Sequence, residues 1–265
     1  MFMLFICQSA HFRKIVLFLL TWFTIKPAGM TTIKQPKLRF DTSGYYFMGL
    51  IAVVILGFWP SYFAKFLDGT ANFKLYFHFH AIMVTSWLIA LIVQPILIRK
   101  KKLPLHRLIG KFTYFLFPLM FISVILLAHS RIPFHTGDSG INLLVPFKDL
   151  FILAVAYFIA IRYRHNIDLH ARGMVATGIV FIEPALSRAM SQLIANGLIA
   201  YLLTILIIYS ILIALIIIER KQKKGRWVFP LILGLYIIVH SILIFDIHIA
   251  PWETFAKWFA ALPIT

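Results

Sequence analysis

Residues able to do chemistry are scarce in this sequence, and they interrupt runs that are otherwise apolar. His80, Trp87 and Gln94 recur at intervals of seven, which on a helix puts them along one face. Glu183 is followed directly by Pro184, then by Ser187 and Arg188. Tyr236 and His240 share a third face, with Asp246 and His248 nearer its exit. An ionisable side chain inside a bilayer costs roughly 2.5–3.5 kcal/mol on insertion scales, so such residues normally face a bundle interior or cavity. At 1.5 Å per residue, His80 falls roughly 8 Å below the outer end of its helix, and Glu183 and His240 roughly 13–17 Å below theirs. The three can therefore meet in the outer half of a bundle.

Two imidazoles on facing helices can hold a haem iron axially, and aromatic, apolar walls suit the macrocycle. On this reading His80 and His240 are the axial candidates, His129 is the reserve, and Glu183 and Arg188 sit near the propionates or support the ligands. The cofactor would be haem b, because no Cys-x-x-Cys-His attachment motif is present. The competing reading is that these are interior histidines hydrogen-bonded to Glu183 or to backbone. A second constellation is His106 with Arg107 and His170 with Arg172, each histidine opening a helix after a basic loop. A helix N-terminus disfavours charge on an imidazole, while flanking cations attract an anionic lipid headgroup or a quinone-like polar head. Ordinary interfacial residues would look the same. Zinc-binding spacings, a Gly-rich phosphate loop and Gly-x-Ser-x-Gly are all lacking, so hydrolase and nucleotide-driven chemistry find no residues to carry them.

The elements that must position these groups follow from composition. Of 265 residues, 61% are apolar and 13% charged, against about 45–50% and about 25% in soluble domains. A bilayer span needs about 20 mostly apolar residues, and seven stretches qualify: 44–64, 75–98, 107–128, 146–163, 171–194, 197–218 and 227–249. The runs are continuous rather than alternating, which excludes a β-barrel. The fold class is an all-α, polytopic transmembrane helix bundle of about seven spans, N-terminus inside. The net charge of +17 sorts by loop. Basic residues crowd the segment before span one and the connections two–three, four–five and six–seven. Only Lys65, Lys74, Arg131, Lys148, Arg188 and Lys257 fall on the opposite side. By the positive-inside rule the crowded side is cytoplasmic, so the charge reads as topology and not as a nucleic-acid partner.

Residues 1–29, which carry the lone Cys7, are expected to be an N-terminal extension or an interfacial anchor, with Met30 opening a segment that resembles a natural start. Residues 30–249 form the transmembrane domain. The tail 250–265 repeats aromatics at helical spacing and is expected to lie at the interface. Pro104 suits the first turn of its helix, and Asp168 is the expected N-cap of the helix bearing His170. The two histidines are 64 residues apart, with Pro118 and Pro184 deeper in their helices, hinting at two related hairpins. Pro184 should free a carbonyl one turn earlier and bend its span.

The stretches Phe77–Tyr114 (FHFHAIMVTSWLIALIVQPILIRKKKLPLHRLIGKFTY) and Asp168–Met190 (DLHARGMVATGIVFIEPALSRAM) resemble a group of uncharacterised bacterial multi-pass inner-membrane proteins. The shared features map to His80, Trp87, Gln94, His106, Arg107 and Gly110, then to His170, Arg172, Pro184 and Arg188. The resemblance implies architecture and a bacterial inner-membrane location. A more distant likeness is to haem-binding transmembrane cytochromes b, which place histidine pairs near both faces. Two functions are thus expected: a haem-binding or redox-linked membrane protein, or a non-enzymatic component such as a small transporter, assembly factor or lipid-interacting protein.

Overall fold

The computed structural model describes residues 39–132, 139–222 and 224–265. The stretch 1–29 with Cys7, and the loop residues His135 and Asp138, lie outside the described residues. Within them the fold is all-helical. Five helices are long and apolar enough to cross a membrane: α1 (Phe40–Leu67), α2 (Leu75–Arg99), α3 (Leu103–His129), α4 (Ser139–Arg162) and α7 (Gly197–Glu219). The chain is accordingly an integral membrane protein. Large apolar side chains cover its outside, among them Phe115 at 72% and Phe158 at 68% exposure, a surface that lipid and not water would solvate.

The fifth predicted span is two helices, α5 (Ile167–Val180) and α6 (Ile182–Leu193), broken at Phe181. Pro184 has no N–H to give the carbonyl of Val180, as the sequence implied, and the α-helical hydrogen-bond ladder is interrupted there, Phe181 N–H donating to Gly178 O at 3.2 Å while its dihedrals stay right-handed helical. Helix α8 (Val228–Ile244) has 17 residues, and α9 (Ala250–Ala260) forms from the C-terminal tail. Helix α4 begins well before Pro146, where the sequence placed its span, because proline is tolerated within it. That difference moves Lys148 from an expected helix end to nine residues inside.

The bundle is organised by two hairpins, α2–α3 and α4–α5, with α1 laid against α2 and α6 and with α7 and α8 completing the interior. The α2–α3 turn closes with Lys101 in the left-handed region (φ 57°) and Lys102 N–H donating to Leu97 O. In the second hairpin Asn166, not Asp168, is the N-cap: its Oδ1 accepts from the N–H groups of Asp168 and Leu169. The aspartate sits two residues past the cap, too late to serve. Helices cross closely where small residues allow it. A Cβ on Gly173 would come within 2.7 Å of Ala160 N, and one on Gly44 within 2.7 Å of Ile92 O. The hairpins also echo each other beyond the two histidines. Thr113 and Thr177 each stand seven residues past His106 and His170, and each bonds back to the carbonyl three residues earlier at 2.7 Å.

The core joins the hairpins through aromatic stacking. Phe117 and Tyr157 stack with centroids 4.0 Å apart, and Trp87 meets both rings at 5.4–5.6 Å. Against this wall pack Met120, Ile152, Leu212, Phe229 and Tyr236.

Candidate functional site

Behind that core, on the side away from the basic loops, four helices bring ionisable groups into one connected chain. Lys148 on α4 reaches Asp149 Oδ1 at 2.7 Å and Glu183 Oε1 at 2.6 Å. Glu183 is the second residue of α6, where the exposed N–H groups of a helix start favour a negative charge. Its other oxygen, Oε2, accepts from His240 Nε2 on α8 at 3.1 Å. With that nitrogen donating, His240 Nδ1 accepts from the Tyr209 hydroxyl of α7 at 3.1 Å. The side chains of Lys148, Glu183 and His240 are 0%, 4% and 1% exposed. Asp149, at 18% exposure, is the least buried of the three charged groups.

Three phenols surround the imidazole. The rings of Tyr236, Tyr209 and Tyr201 stand 5.3, 5.7 and 6.0 Å from that of His240. The hydroxyls of Tyr201 and Tyr236 are buried without a hydrogen-bond partner. Arg188 completes the neighbourhood, donating to Pro184 O at 2.7 Å and lying 4.5 Å over the Phe58 ring. With a neutral imidazole, the charges of Lys148 and Arg188 balance those of Asp149 and Glu183. A buried ion set survives only when so paired and hydrogen-bonded.

The structure therefore brings Glu183 and His240 together and places Arg188 nearby. His80 goes elsewhere. Its Nδ1 lies 3.2 Å from Ser123 Oγ, and Ser123 donates its one hydroxyl proton to Met120 O at 2.7 Å. His80 must then be the donor to Ser123, which leaves its Nε2 lone pair free. His78, on the opposite face as the two-residue offset requires, pairs with the Tyr62 hydroxyl at 2.9 Å. Haem does not fit the expected pair: both nitrogens of His240 are engaged, so it has none to offer iron. The reserve candidate His129 is tied to Thr265 at 2.7 Å and to the edge of Phe259.

At the basic end, Arg107 is exposed and His106 and His170 are half-buried. His170 Nδ1 donates to Ala160 O at 2.9 Å. Gln94 donates to His106 O at 3.1 Å, so the polar face of α2 ends on the helix start that follows it. Arg172 is wholly buried. Its Nε donates to Glu219 Oε2 at 2.9 Å, Nη1 to Asp168 O at 2.6 Å and Nη2 to Gln222 Oε1 at 2.6 Å. It is a clamp between α5 and α7 and presents nothing to a headgroup.

Lys148, Asp149 and Tyr209 did not stand out in the sequence. The signal available was the Lys-Asp pair inside the apolar run from Ile141 to Ile161, which is hard to account for in a bilayer unless paired.

The opposite end of the bundle is capped by α9. Trp252 Nε1 donates to Gly140 O at 2.8 Å, and Phe147 packs edge-on against Trp252, Phe255 and Phe259. A small cavity of about 170 Å³ lies beneath, between α4, α8 and α9. In the connection to α9, His248 Nδ1 donates to Glu253 Oε1 at 2.7 Å and Nε2 lies 3.7 Å from Asp246. The Glu253 hydrogen bond, then the charge of Asp246, hold the His248 pKa above its ordinary value. The contribution of this clasp to the cap is therefore complete at pH values below that of a free imidazole, about 6.5, and is lost as pH rises through the folded value. By NMR, His248 should titrate above a free histidine, and Glu253→Gln should move its midpoint down. An unshifted midpoint would show that the clasp does not form.

No family model, curated protein or solved structure matches this chain.

Proposed function

We propose that this is a seven-span bacterial inner-membrane protein, N-terminus inside, that moves protons within the bilayer as a small transporter. The observation that carries the reading is the unbroken chain Asp149–Lys148–Glu183–His240–Tyr209. Every member holds or accepts an exchangeable proton, and adjacent members are 2.6–3.1 Å apart. Such intramembrane ionisable groups mark proton and ion pathways. The break between α5 and α6 supports the reading, because discontinuous helices supply backbone and dipole ends to sites inside a membrane. Taking the broken α5–α6 pair as one crossing and α8 as another adds two to the five long helices. With this count Arg99–Lys102, Arg162–Arg164 and Arg220–Arg226 all share one face, which the positive-inside rule makes cytoplasmic. The lipid bilayer is then the standing partner. The exposed Arg107 is placed for an anionic headgroup, and half-buried His106 and His170 for a quinone-like polar head.

The mechanism follows from charge balance. His240 sits on the second oxygen of a carboxylate whose first oxygen holds Lys148. A proton arriving on Tyr209 can pass to His240 Nδ1 while Nε2 gives its own to Glu183. Lys148 then takes the Glu183 proton while giving one of its own to Asp149, the least buried of the charged groups, which releases it and resets the set. In liposomes containing pyranine under a potassium-diffusion potential, wild type should carry protons faster than protein-free vesicles. Glu183→Gln should reduce the rate by at least about tenfold, the loss common for a positioned acid–base group. Flux equal to that of empty vesicles, or unchanged in Glu183→Gln, overturns the proposal.

A further inference from the structure

We infer that a polar seam between α2, α3 and α4 binds water, forming an inlet from the basic end of the bundle to Trp87. It is a site apart from the proton chain, to which no side-chain hydrogen bond joins it among the described residues. Contacts place its members in order. Gln94 Nε2 on α2 donates to His106 O on α3 at 3.1 Å. A Cβ added at Gly110 would meet only that amide nitrogen, at 3.7 Å. Thr113 Oγ1 donates its proton to Gly110 O at 2.7 Å, so the Tyr157 hydroxyl of α4 must be the donor to Thr113 Oγ1 at 3.2 Å. The Tyr157 ring lies 5.4 Å from that of Trp87, which closes the seam on α2, seven residues before Gln94.

Three polar atoms point to a ligand. Trp87 Nε1, Gln94 Oε1 and His106 Nδ1 are all buried without a hydrogen-bond partner. Trp87 and Gln94 are 1% and 8% exposed. Buried polar atoms in native structures nearly always find a partner, in protein or in ordered water. Oε1 belongs to the amide that bonds His106 O, and Nδ1 to the side chain of that same histidine, so two of the three stand at one hydrogen bond. Their demands are mixed: the indole N–H needs an acceptor, Oε1 needs a donor, and the Tyr157 oxygen can still accept. The side chains of Trp87, Gln94, Thr113 and Tyr157 are uncharged and offer an ion no countercharge. A neutral molecule that donates, accepts and fits the carbon-sized space beside Gly110 is water. The inlet is wet from one side. His106 and Gly110 at its mouth are only partly buried, whereas beyond Trp87 the packing is apolar, with Met120 and Ile152 both 0% exposed. At 1.5 Å per residue Trp87 lies roughly 18 Å from the basic end of α2, so water reaches near the middle of a hydrocarbon core about 30 Å thick.

The test is exchange of the Trp87 indole proton, followed by NMR in the isotope-labelled full chain in detergent after transfer to deuterated buffer. Trp87→Phe assigns the signal. The indole proton should exchange at least about tenfold faster than the backbone amides of Leu88 and Leu91, which wait for α2 itself to open. Gln94→Leu keeps the size of the side chain, removes its amide and should slow the indole at least about tenfold. Lost stability would speed exchange, so a slowing is not damage to the fold. Gly110→Ala keeps every polar group, puts a methyl in the space beside Gln94 and should slow the indole as well. It serves alone should Gln94→Leu fail to fold. The inference falls if the wild-type indole exchanges no faster than the Leu88 and Leu91 amides. It falls equally if a folded Gln94→Leu or Gly110→Ala chain exchanges as fast as wild type. Proton flux does not enter this readout, so the inlet and the transport reading can each fail alone.

Discussion

Lys148→Ala is expected to destabilise the protein by about 3–5 kcal/mol, the cost of breaking a buried ion set by removing one partner. The substitution leaves Asp149 and Glu183 facing each other without the ammonium between them, and Glu183 is 4% exposed with little water to turn to. His240 can offset part of the loss by taking a proton, since it already touches Glu183 at 3.1 Å. The measurement is thermal unfolding in detergent. Adding Glu183→Gln to Lys148→Ala should recover much of the loss, because the most buried of the stranded charges is then gone. This non-additivity is the informative quantity. A Lys148→Ala chain as stable as wild type would mean that the network is not formed.

The second large effect is expected at the other end. Arg172→Lys should cost about 3 kcal/mol although the charge is kept, because an ammonium on a shorter stem cannot serve Glu219, Asp168 O and Gln222 together. Glu219 is buried at 1% exposure and would be left incompletely paired. The guanidinium also lies 5.1 Å over the Phe40 ring and fills the space in which a Cβ on Gly225 would stand. It therefore ties the start of α1, α5, the end of α7 and the α7–α8 connection. Beside a lower melting temperature, the variant should show faster tryptic cutting at Arg220, Lys221, Lys224 and Arg226. Unchanged cutting with unchanged stability would show that the clamp holds nothing together.

How far each site was legible depends on what kind of signal it left. Glu183 and His240 stood out because one charge in a long apolar run is visible without knowing its partner. His80 stood out equally, yet its partner proved to be Ser123 on the adjacent helix and not a second histidine. Depth along a helix is additive in residue number, so it was readable; rotation about the helix axis is set by packing, so it was not. Lys148 was passed over because the fourth span was placed at 146–163, which put it at the span's end, whereas proline inside a membrane helix is tolerated and the helix starts at Ser139. Arg172 looked like one more interfacial cation, and only the fold shows that α7 returns Glu219 to meet it.

The sequence by itself determined that this chain is a helical membrane protein, where most of its helices run and which residues are too polar for lipid. Those properties follow from transfer free energy and helical rise, which are summed along the chain. The tertiary structure alone decided which of the polar residues are partners. A hydrogen bond of 2.6 Å between residues 148 and 183 depends on how two hairpins and two further helices turn toward one another. That rotation is fixed by close contacts such as Gly173 against Ala160 and by the stacked Phe117 and Tyr157. The same contacts turned two expected haem ligands into members of separate networks, one of which joins four helices from Lys148 through Glu183 and His240 to Tyr209.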